Sequence, residues 1–154
     1  MIEFATEIPR RTLPKPTSNL AKLGLSYERK LVKALDESAP PGISIVHNPW
    51  LEYRRTGDEL KTCCPDIIIV DEAEGYAMVV EVKLNWTPLA LQKLRDLYVP
   101  VLNHVGRKFN YKNKPLVIVK NLTPDSPRPQ SRLTWAFNAE TPLFHWSGLG
   151  SVLW

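Results

Sequence analysis

Acidic and basic residues lie at matching ends of two apolar runs near the middle of the chain. Asp66 precedes the first run, and Glu81 and Lys83 follow the second. β-Branched runs separated by a polar turn that contains glycine are typical of a β-hairpin. Folding this hairpin symmetrically about its turn places Ile67 opposite Val80 and Asp66 opposite Glu81. Side chains two apart on a strand share a face, so two carboxylates and the Lys83 ammonium should meet at the open end.

Two opposed carboxylates repel each other, and a hard divalent cation removes that conflict. Mg²⁺ binds through oxygen ligands, often one or two carboxylates together with water and phosphate oxygens. A neighbouring lysine can orient a metal-bound water or stabilise charge that develops on a phosphate. We therefore predict Mg²⁺ as the cofactor, with Mn²⁺ able to substitute. The alternative is a structural ion pair of Lys83 with Glu81 or Asp66 at the edge of a sheet.

The order Pro65-Asp66, fourteen intervening residues and Glu81-Val82-Lys83 resembles the PD-(D/E)XK signature of the restriction-endonuclease-like nuclease superfamily. The resemblance covers the chain from about residue 19 to residue 120. It implies that Asp66 and Glu81 hold the metal, that the Val82 carbonyl is a further ligand, and that Lys83 is catalytic. It also implies an αβββαβ core in which helices flank a mixed sheet.

The resemblance extends to the two predicted helices. Glu28 lies at the margin of an apolar stripe, where a carboxylate is awkward unless something binds it. In the family, a glutamate of the first helix often reaches the metal, which implies Glu28 as a metal ligand and catalytic residue. A glutamine of the later helix has a comparable role in several branches, which implies Gln92 as a site residue. His47, at the end of a predicted strand, is interpreted as structural.

Three groups of cations are candidates for contacts with DNA phosphates, which dominate the affinity of most nucleic-acid-binding proteins. Seven basic residues and one acid lie between positions 107 and 132. A polar loop leads into Asp66, and a proline-spaced arm at the N-terminus carries Arg10, Arg11 and Lys15. An exposed, solvated surface is the alternative for each group. The predicted DNA-binding residues are Arg54, Arg55, Lys61, Arg107, Lys108 and Lys112.

The elements around the hairpin indicate an α/β protein. Helical spacing of apolar residues predicts a helix from about Ser18 to Ser38, and the run 43–47 predicts a strand. Thr87 can cap a second helix that begins at Pro88 and that Pro100 should interrupt. A strand at 116–119 should run parallel to its neighbour through that helix.

We expect three parts in a chain of this length. Residues 1–17 form an extended, basic and proline-rich arm, residues 18–120 the core domain, and residues 121–154 an aromatic-rich extension. That extension should pack on the core or contact a partner chain. The chain has 14 prolines, and a net charge of +4 is too small to indicate nucleic acid by itself.

Several classes of protein are excluded by pattern. No apolar run reaches about 18 residues, so no membrane span is predicted. The N-terminus lacks a basic start followed by an apolar core, so we expect a cytoplasmic protein. The adjacent Cys63 and Cys64 are interpreted as reduced thiols.

The leading hypothesis is a Mg²⁺-dependent nuclease that hydrolyses DNA phosphodiester bonds. Gly24 followed by Glu28-Arg29 resembles a pattern of the archaeal-type Holliday-junction resolvases. That resemblance implies a structure-specific endonuclease, which would act as a homodimer on a junction. The alternatives are a RecB-like exonuclease, and a nucleic-acid-binding or assembly protein of the same fold without catalysis.

Overall fold

Two β-sheets and two helical segments make up the part of the protein that the structure, a computed structural model, describes. The described residues are 1–39, 41–73, 75–106 and 112–121, together with the backbone of 143–145. The elements in chain order are β1 (Ile2–Ile8), α1 (Asn19–Ser38), β2 (Ile43–His47), β3 (Trp50–Arg55), β4 (Lys61–Cys63), β5 (Ile67–Asp71), β6 (Tyr76–Asn85), α2 (Pro88–Lys93), a π-helical turn (Leu94–Tyr98), α3 (Val99–Val105), β7 (Lys112–Asn121) and β8 (Leu143–His145). The protein is therefore of the mixed α/β class.

The central hairpin is formed by β5 and β6, and its predicted register is confirmed. Ile67 pairs with Val80 and Ile68 with Val79 in an antiparallel ladder. The turn closes at Gly75, whose φ of +69° is a left-handed conformation that glycine adopts without a steric cost. The open end of the hairpin, beyond the Ile67–Val80 pair, is where Asp66 and Glu81 lie.

The hairpin lies in the middle of a five-stranded sheet with the order β2-β5-β6-β7-β8. β2 is antiparallel to β5, whereas β7 is parallel to β6 and β8 is parallel to β7. The helical segment 88–105 provides the crossover that a parallel β6–β7 pair requires. The predicted succession of helix, strand, hairpin, helix and strand is present, with the hairpin β3–β4 inserted after the first strand.

A second, three-stranded sheet has the order β1-β3-β4. The arm predicted for residues 1–17 therefore includes a strand, because β1 pairs with β3 from Ile2 opposite Arg55 to Ile8 opposite Trp50. The charged loop predicted at 54–61 is shorter than expected, since both of its ends belong to the β3–β4 hairpin.

The first helix begins as predicted, since the Ser18 hydroxyl accepts a hydrogen bond from the Ala21 amide at 3.1 Å. Its apolar stripe is buried only from Tyr27 onward. Leu20 and Leu23 are 67% and 58% exposed. Both residues share the helical spacing of apolar residues that predicts α1, yet the structure leaves them outside the core.

The interruption predicted at Pro100 takes the form of the π-helical turn, in which the Val99 amide donates to the Leu94 carbonyl. Pro100 has no N–H, so the Asp96 carbonyl, four residues earlier, lacks its α-helical donor. The Arg55 guanidinium donates to that carbonyl at 2.8 Å. The β3–β4 hairpin and the interrupted helix are thereby joined.

Two hydrophobic clusters cover the two faces of the larger sheet. One lies between α1 and the sheet and has as its fully buried members Leu31, Leu35, Ile67, Ile69, Met78, Val80, Leu116 and Ile118. The other joins the opposite face to 88–105 and to the smaller sheet, and it includes Leu51, Val79, Leu94, Tyr98, Val101 and Val119. Buried apolar side chains of this size stabilise a fold by about 1.5–3 kcal/mol each before entropy is counted.

Some predictions fall on residues outside the described ranges. These are Arg107, Lys108 and the aromatic side chains of the C-terminal extension. Within the described ranges, no helix combines the length and the apolar character that crossing a bilayer demands.

Candidate active site

Asp66 is held by the backbone of the strand opposite it. The Val82 amide donates to Asp66 Oδ2 at 2.7 Å. Val82 lies two residues past the last β5–β6 pair. The Asp66 carboxylate therefore accepts the hydrogen bond that a backbone carbonyl of β5 would accept if the ladder continued. The N–H and C=O of a strand residue point to the same edge, so the Val82 carbonyl, predicted as a ligand, also faces the side of Asp66.

Glu81 is almost completely buried, with an exposed fraction of 2%. Its Oε1 lies 3.5 Å from Lys83 Nζ and 3.3 Å from Lys93 Nζ, whereas its Oε2 is buried and has no hydrogen-bond partner among the described residues. A buried carboxylate oxygen without a partner is costly and rare. The predicted proximity of Lys83 and Glu81 is therefore confirmed, and one oxygen of Glu81 is left with unused capacity to bind.

The pKa of Asp66 is raised well above its usual range. Burial is the largest cause, because it disfavours the charged form, and the negative charges of Glu81 and Glu28 add to it. A side-chain hydrogen bond with Glu28 raises this pKa further, whereas the Val82 amide lowers it. Three carboxyl groups thus act on one another at the open end of the hairpin.

Glu28 reaches this end of the sheet from α1 and is 8% exposed. Its Oε2 lies 3.1 Å from His47 Nε2. His47 is the last residue of β2 and pairs with Ile67, the residue that follows Asp66. The interpretation of His47 as only structural therefore misses a direct contact with a predicted site residue.

Asn48 continues the same corner. It is 7% exposed and has a φ of +49°, a left-handed conformation in which asparagine is enriched. Its backbone N–H donates to the backbone carbonyl of Asp66 at 2.9 Å. The backbone of Asp66 is thus fixed from β2 and its side chain from β6. Asn48 could have been suspected from the sequence, because it precedes Pro49 at the end of a strand.

On the second helical segment, the structure brings Lys93 and not Gln92 to the site. Gln92 is exposed, and within the described ranges no hydrogen bond joins it to the carboxylates. Lys93 follows the buried Ala90 by three residues, on the same helix face, and its Nζ lies 4.8 Å from the centre of the Tyr98 ring. The three-residue spacing from Ala90 is the feature of the sequence from which Lys93 could have been predicted to lie on this helix face. Tyr98 is buried, and its hydroxyl donates to the Cys64 carbonyl at 3.2 Å.

The adjacent thiols are not activated by the site. Burial, followed by the charges of Asp66 and Glu28, raises the pKa of Cys64 to about 11. Burial also raises the pKa of Cys63, to about 12. Both cysteines are free, as expected, and they stay protonated thiols at neutral pH.

The cations of the β3–β4 hairpin lie near its turn, whereas Asp66 follows its open end. Arg54 Nε is 3.2 Å from Glu3 Oε2, and Lys61 Nζ is 3.6 Å from Asp58 Oδ2. With Arg55 bonded to the Asp96 carbonyl, each of the three has a partner within the protein. Their contact with DNA stays a prediction.

Lys112 begins β7 opposite Tyr76, over whose ring its Nζ lies at 5.9 Å. Glu81 is five residues further along β6, which corresponds to about 16 Å of strand. The predicted contact of Lys112 with DNA would therefore be at the other end of the sheet from the carboxylates.

The arrangement offers oxygen ligands to a hard cation from Asp66, Glu81 and Glu28. Within the described ranges, no set of three or more His, Cys, Asp or Glu side chains already has the geometry of a metal site. Comparisons with protein-family models, with curated proteins and with solved structures each found no match.

Proposed function

We propose that the protein is a metal-dependent nuclease that hydrolyses phosphodiester bonds of DNA. The observation that carries this proposal is Glu81 Oε2, a buried carboxylate oxygen to which none of the described residues gives a hydrogen bond, and whose charge acts on a second carboxyl group, Asp66. The Lys83 ammonium contacts the Glu81 carboxylate and is exposed enough to contact a phosphate as well. Buried charge of this kind is expensive for a fold and is typical of functional sites.

The donors fit Mg²⁺, because all of them are oxygens and hard divalent cations prefer oxygen ligands. Asp66, Glu81 and the Val82 carbonyl would hold the ion, and Glu28 would do so directly or through water. When bound, Mg²⁺ supplies positive charge against the phosphate and lowers the pKa of a bound water. Mn²⁺ has similar ligand preferences and should substitute.

The residues of the chain have distinct tasks in this proposal. Hydrolysis joins the oxygen of water to phosphorus and breaks one P–O ester bond, and a proton ends on the leaving oxygen. Lys83 carries three donors and no acceptor, so it orients the water and stabilises phosphate charge as that charge grows. Lys93 shares Glu81 Oε1 with Lys83 and positions the carboxylate.

The order of elements in the larger sheet supports the same proposal. A helix, a strand, a hairpin, a helix and a parallel strand follow one another, which is the order of the restriction-endonuclease-like core. On that reading the substrate is a junction, as for the resolvases, or a DNA end, as for RecB-like exonucleases. A resolvase would work as a homodimer, because a four-way junction presents two equivalent strands.

One observation favours a second candidate function, a nucleic-acid-binding protein without hydrolytic activity. Two ammonium groups already lie within 3.5 Å of Glu81 Oε1. They balance much of the charge that would otherwise attract a metal ion. A protein of this kind would bind DNA equally well with and without Mg²⁺.

The experiment that separates the two is a cleavage panel of labelled four-way junction, flap, single-stranded and duplex DNA. Each substrate is incubated with Mg²⁺, with Mn²⁺ and with EDTA. We expect metal-dependent cleavage of at least one substrate, and none by Glu81→Gln, which removes the charge but keeps the shape. Binding without cleavage of any substrate would contradict the nuclease and support the second candidate.

A further inference from the structure

A cavity of about 720 Å³ lies between the N-terminal arm, α1 and the β2–β3 corner. Its polar lining is basic, and none of the described residues that line it is acidic. The polar lining includes Arg10, Arg11, Lys15, Arg29, His47 and Asn48. We call this cavity the arm groove.

The arm groove is built from a chain segment of restricted flexibility. Pro14 and Pro16 line it and fix two φ angles on either side of Lys15. Arg11 lies over the ring of Trp50, with 5.6 Å between the guanidinium carbon and the ring centre, which attaches the arm to the start of β3. A pre-ordered cationic segment loses less entropy on binding a polyanion than a free tail would.

The arm groove adjoins the candidate active site. His47 and Asn48 line it, and they are the residues that contact Glu28 Oε2 and the Asp66 carbonyl. Arg10 lies close enough to Cys64 for its charge to act on that thiol, two residues before Asp66. A ligand that fills the groove therefore ends beside the His47–Glu28 contact and the backbone of Asp66.

We propose that the arm groove binds the phosphate backbone of a single DNA strand and leads it to the carboxylates at Asp66 and Glu81. Four cations without an acidic neighbour in the lining match a run of phosphates, and proteins that bind single strands use positively charged grooves of this kind. The volume is in the range of cavities that hold a ligand of moderate size, which matches a short stretch of one strand. The assignment deepens the proposed function and rests on DNA being the substrate.

The test measures binding in EDTA, so that it does not depend on cleavage. A fluorescein-labelled oligothymidylate and a duplex of equal length are titrated with the full chain, and the anisotropy is followed at several salt concentrations. The variant is Arg10→Gln/Arg29→Gln. The control is Lys22→Gln/Lys30→Gln, which removes the same charge from exposed positions of α1 that do not line the groove.

We expect the groove variant to bind the single strand at least tenfold more weakly, and the control to differ from the wild type by less than twofold. The slope of log affinity against log salt should become shallower by about 1.4, which corresponds to two lost contacts with a single strand. Circular dichroism checks that both variants fold.

Three results would overturn the proposal. They are unchanged binding by the groove variant, an equal loss in the control, and a duplex that binds more tightly than the single strand. A wild-type protein that shows the expected pattern of binding but cuts nothing would leave the arm groove in place and contradict the nuclease, so the two failures are distinguishable.

Discussion

The charged residues of the two hairpins have opposite environments. At the turn of β3–β4, Arg54 is paired with Glu3, Lys61 with Asp58, and Arg55 with a backbone carbonyl. At the open end of β5–β6, the charged groups lie close to one another, and within the described part of the chain a buried oxygen of Glu81 has no hydrogen-bond partner. Both regions are candidate sites in the sequence, because both are rich in charged residues.

The difference is how many of the charged atoms already have a partner within the fold. An exposed ion pair contributes little to stability and can be exchanged for water at small cost. A buried carboxylate that keeps an unbound oxygen costs free energy in every folded molecule. The second arrangement is the one that indicates a function, since a fold gains nothing from it unless a ligand completes it.

The largest effect that the comparison predicts is at Glu81. Glu81→Ala should abolish cleavage, because it removes the buried carboxylate that would bind the cation. The fold should be kept, since the two ammonium groups it contacts are half-exposed and can turn to water. Cleavage assays with Mg²⁺ measure this, and Glu37→Ala, an exposed glutamate of α1 paired with Lys33, is the control. Normal turnover by Glu81→Ala would end the proposal of a metal site.

The two lysines on Glu81 should differ in what they do. Lys83→Met should lower the cleavage rate by about 100-fold, the scale of losing one preorganised donor to developing charge. Lys93→Met should lower it by about tenfold, because a residue that only orients a ligand has a smaller effect. Single-turnover rates at saturating Mg²⁺ compare them. Equal losses of cleavage rate would show that both lysines merely neutralise Glu81. As a control, the metal affinity of Lys83→Met should be unchanged, which excludes a loss of the metal site itself.

Addition of Mg²⁺ or Mn²⁺ should stabilise the protein by relieving the repulsion at the open end of the hairpin. At about 100 times the dissociation constant, the stabilisation is about 2.7 kcal/mol, which corresponds to a rise of about 5–10 °C in Tm for a domain of this size. Thermal unfolding with and without metal measures it. Asp66→Asn, which keeps an acceptor for the Val82 amide, should lose most of the rise. An equal rise in that variant would place the metal elsewhere.

The paired cations of β3–β4 should matter less to DNA than the cations of the arm groove. We expect Arg54→Gln/Arg55→Gln/Lys61→Gln to weaken DNA binding by less than Arg10→Gln/Arg29→Gln, although it removes one more charge. The physical reason is that each of the three must leave or share a partner before it contacts a phosphate. Anisotropy titrations under one salt condition rank the two surfaces, and the reverse order would show that the hairpin turn is the main phosphate-binding surface.

The smallest effect concerns the bond between Arg55 and the carbonyl that Pro100 leaves without a donor. Arg55→Met should destabilise the protein by about 0.5–1.5 kcal/mol, the usual contribution of such a hydrogen bond. In a Pro100→Ala background the helix can supply its own N–H, so the same substitution should cost less. A double-mutant cycle of urea unfolding measures the coupling. Additive effects would show that Arg55 does not compensate for Pro100.

Local patterns in the sequence were sufficient to predict the central features of the fold. The hairpin register follows from two apolar runs folded about one turn, and it brings Asp66 near Glu81 without any long-range information. Ser18 and Thr87 cap their helices through hydrogen bonds to residues three and two positions later, so their roles can be inferred from neighbouring residues. The nearness of Lys83 to Glu81 follows from the alternation of side chains along a strand.

Features that depend on distant parts of the chain could not be predicted in this way. The pairing of β1 with β3 joins residues more than forty positions apart, and no local pattern selects that partner. The contact between His47 and Glu28 depends on how α1 packs on β2. Lys93, and not Gln92, contacts Glu81, because the rotation of a short helix about its own axis is set by what the helix packs against. The nearness of the arm groove to Asp66 requires all of these placements at once.

The hydrogen bond from the Val82 amide to Asp66 makes one backbone proton a reporter of the site. In a sheet, exchange of an amide proton with solvent is slowed by the carbonyl of a neighbouring strand. Here the protecting group is a side chain, so its protection can be lost without unfolding of the strand. Any ligand that draws Asp66 Oδ2 away should speed exchange at Val82 while Val80, which is paired within the ladder, stays protected. Occupancy of the site could then be read by nuclear magnetic resonance from the ratio of two amide signals on one strand.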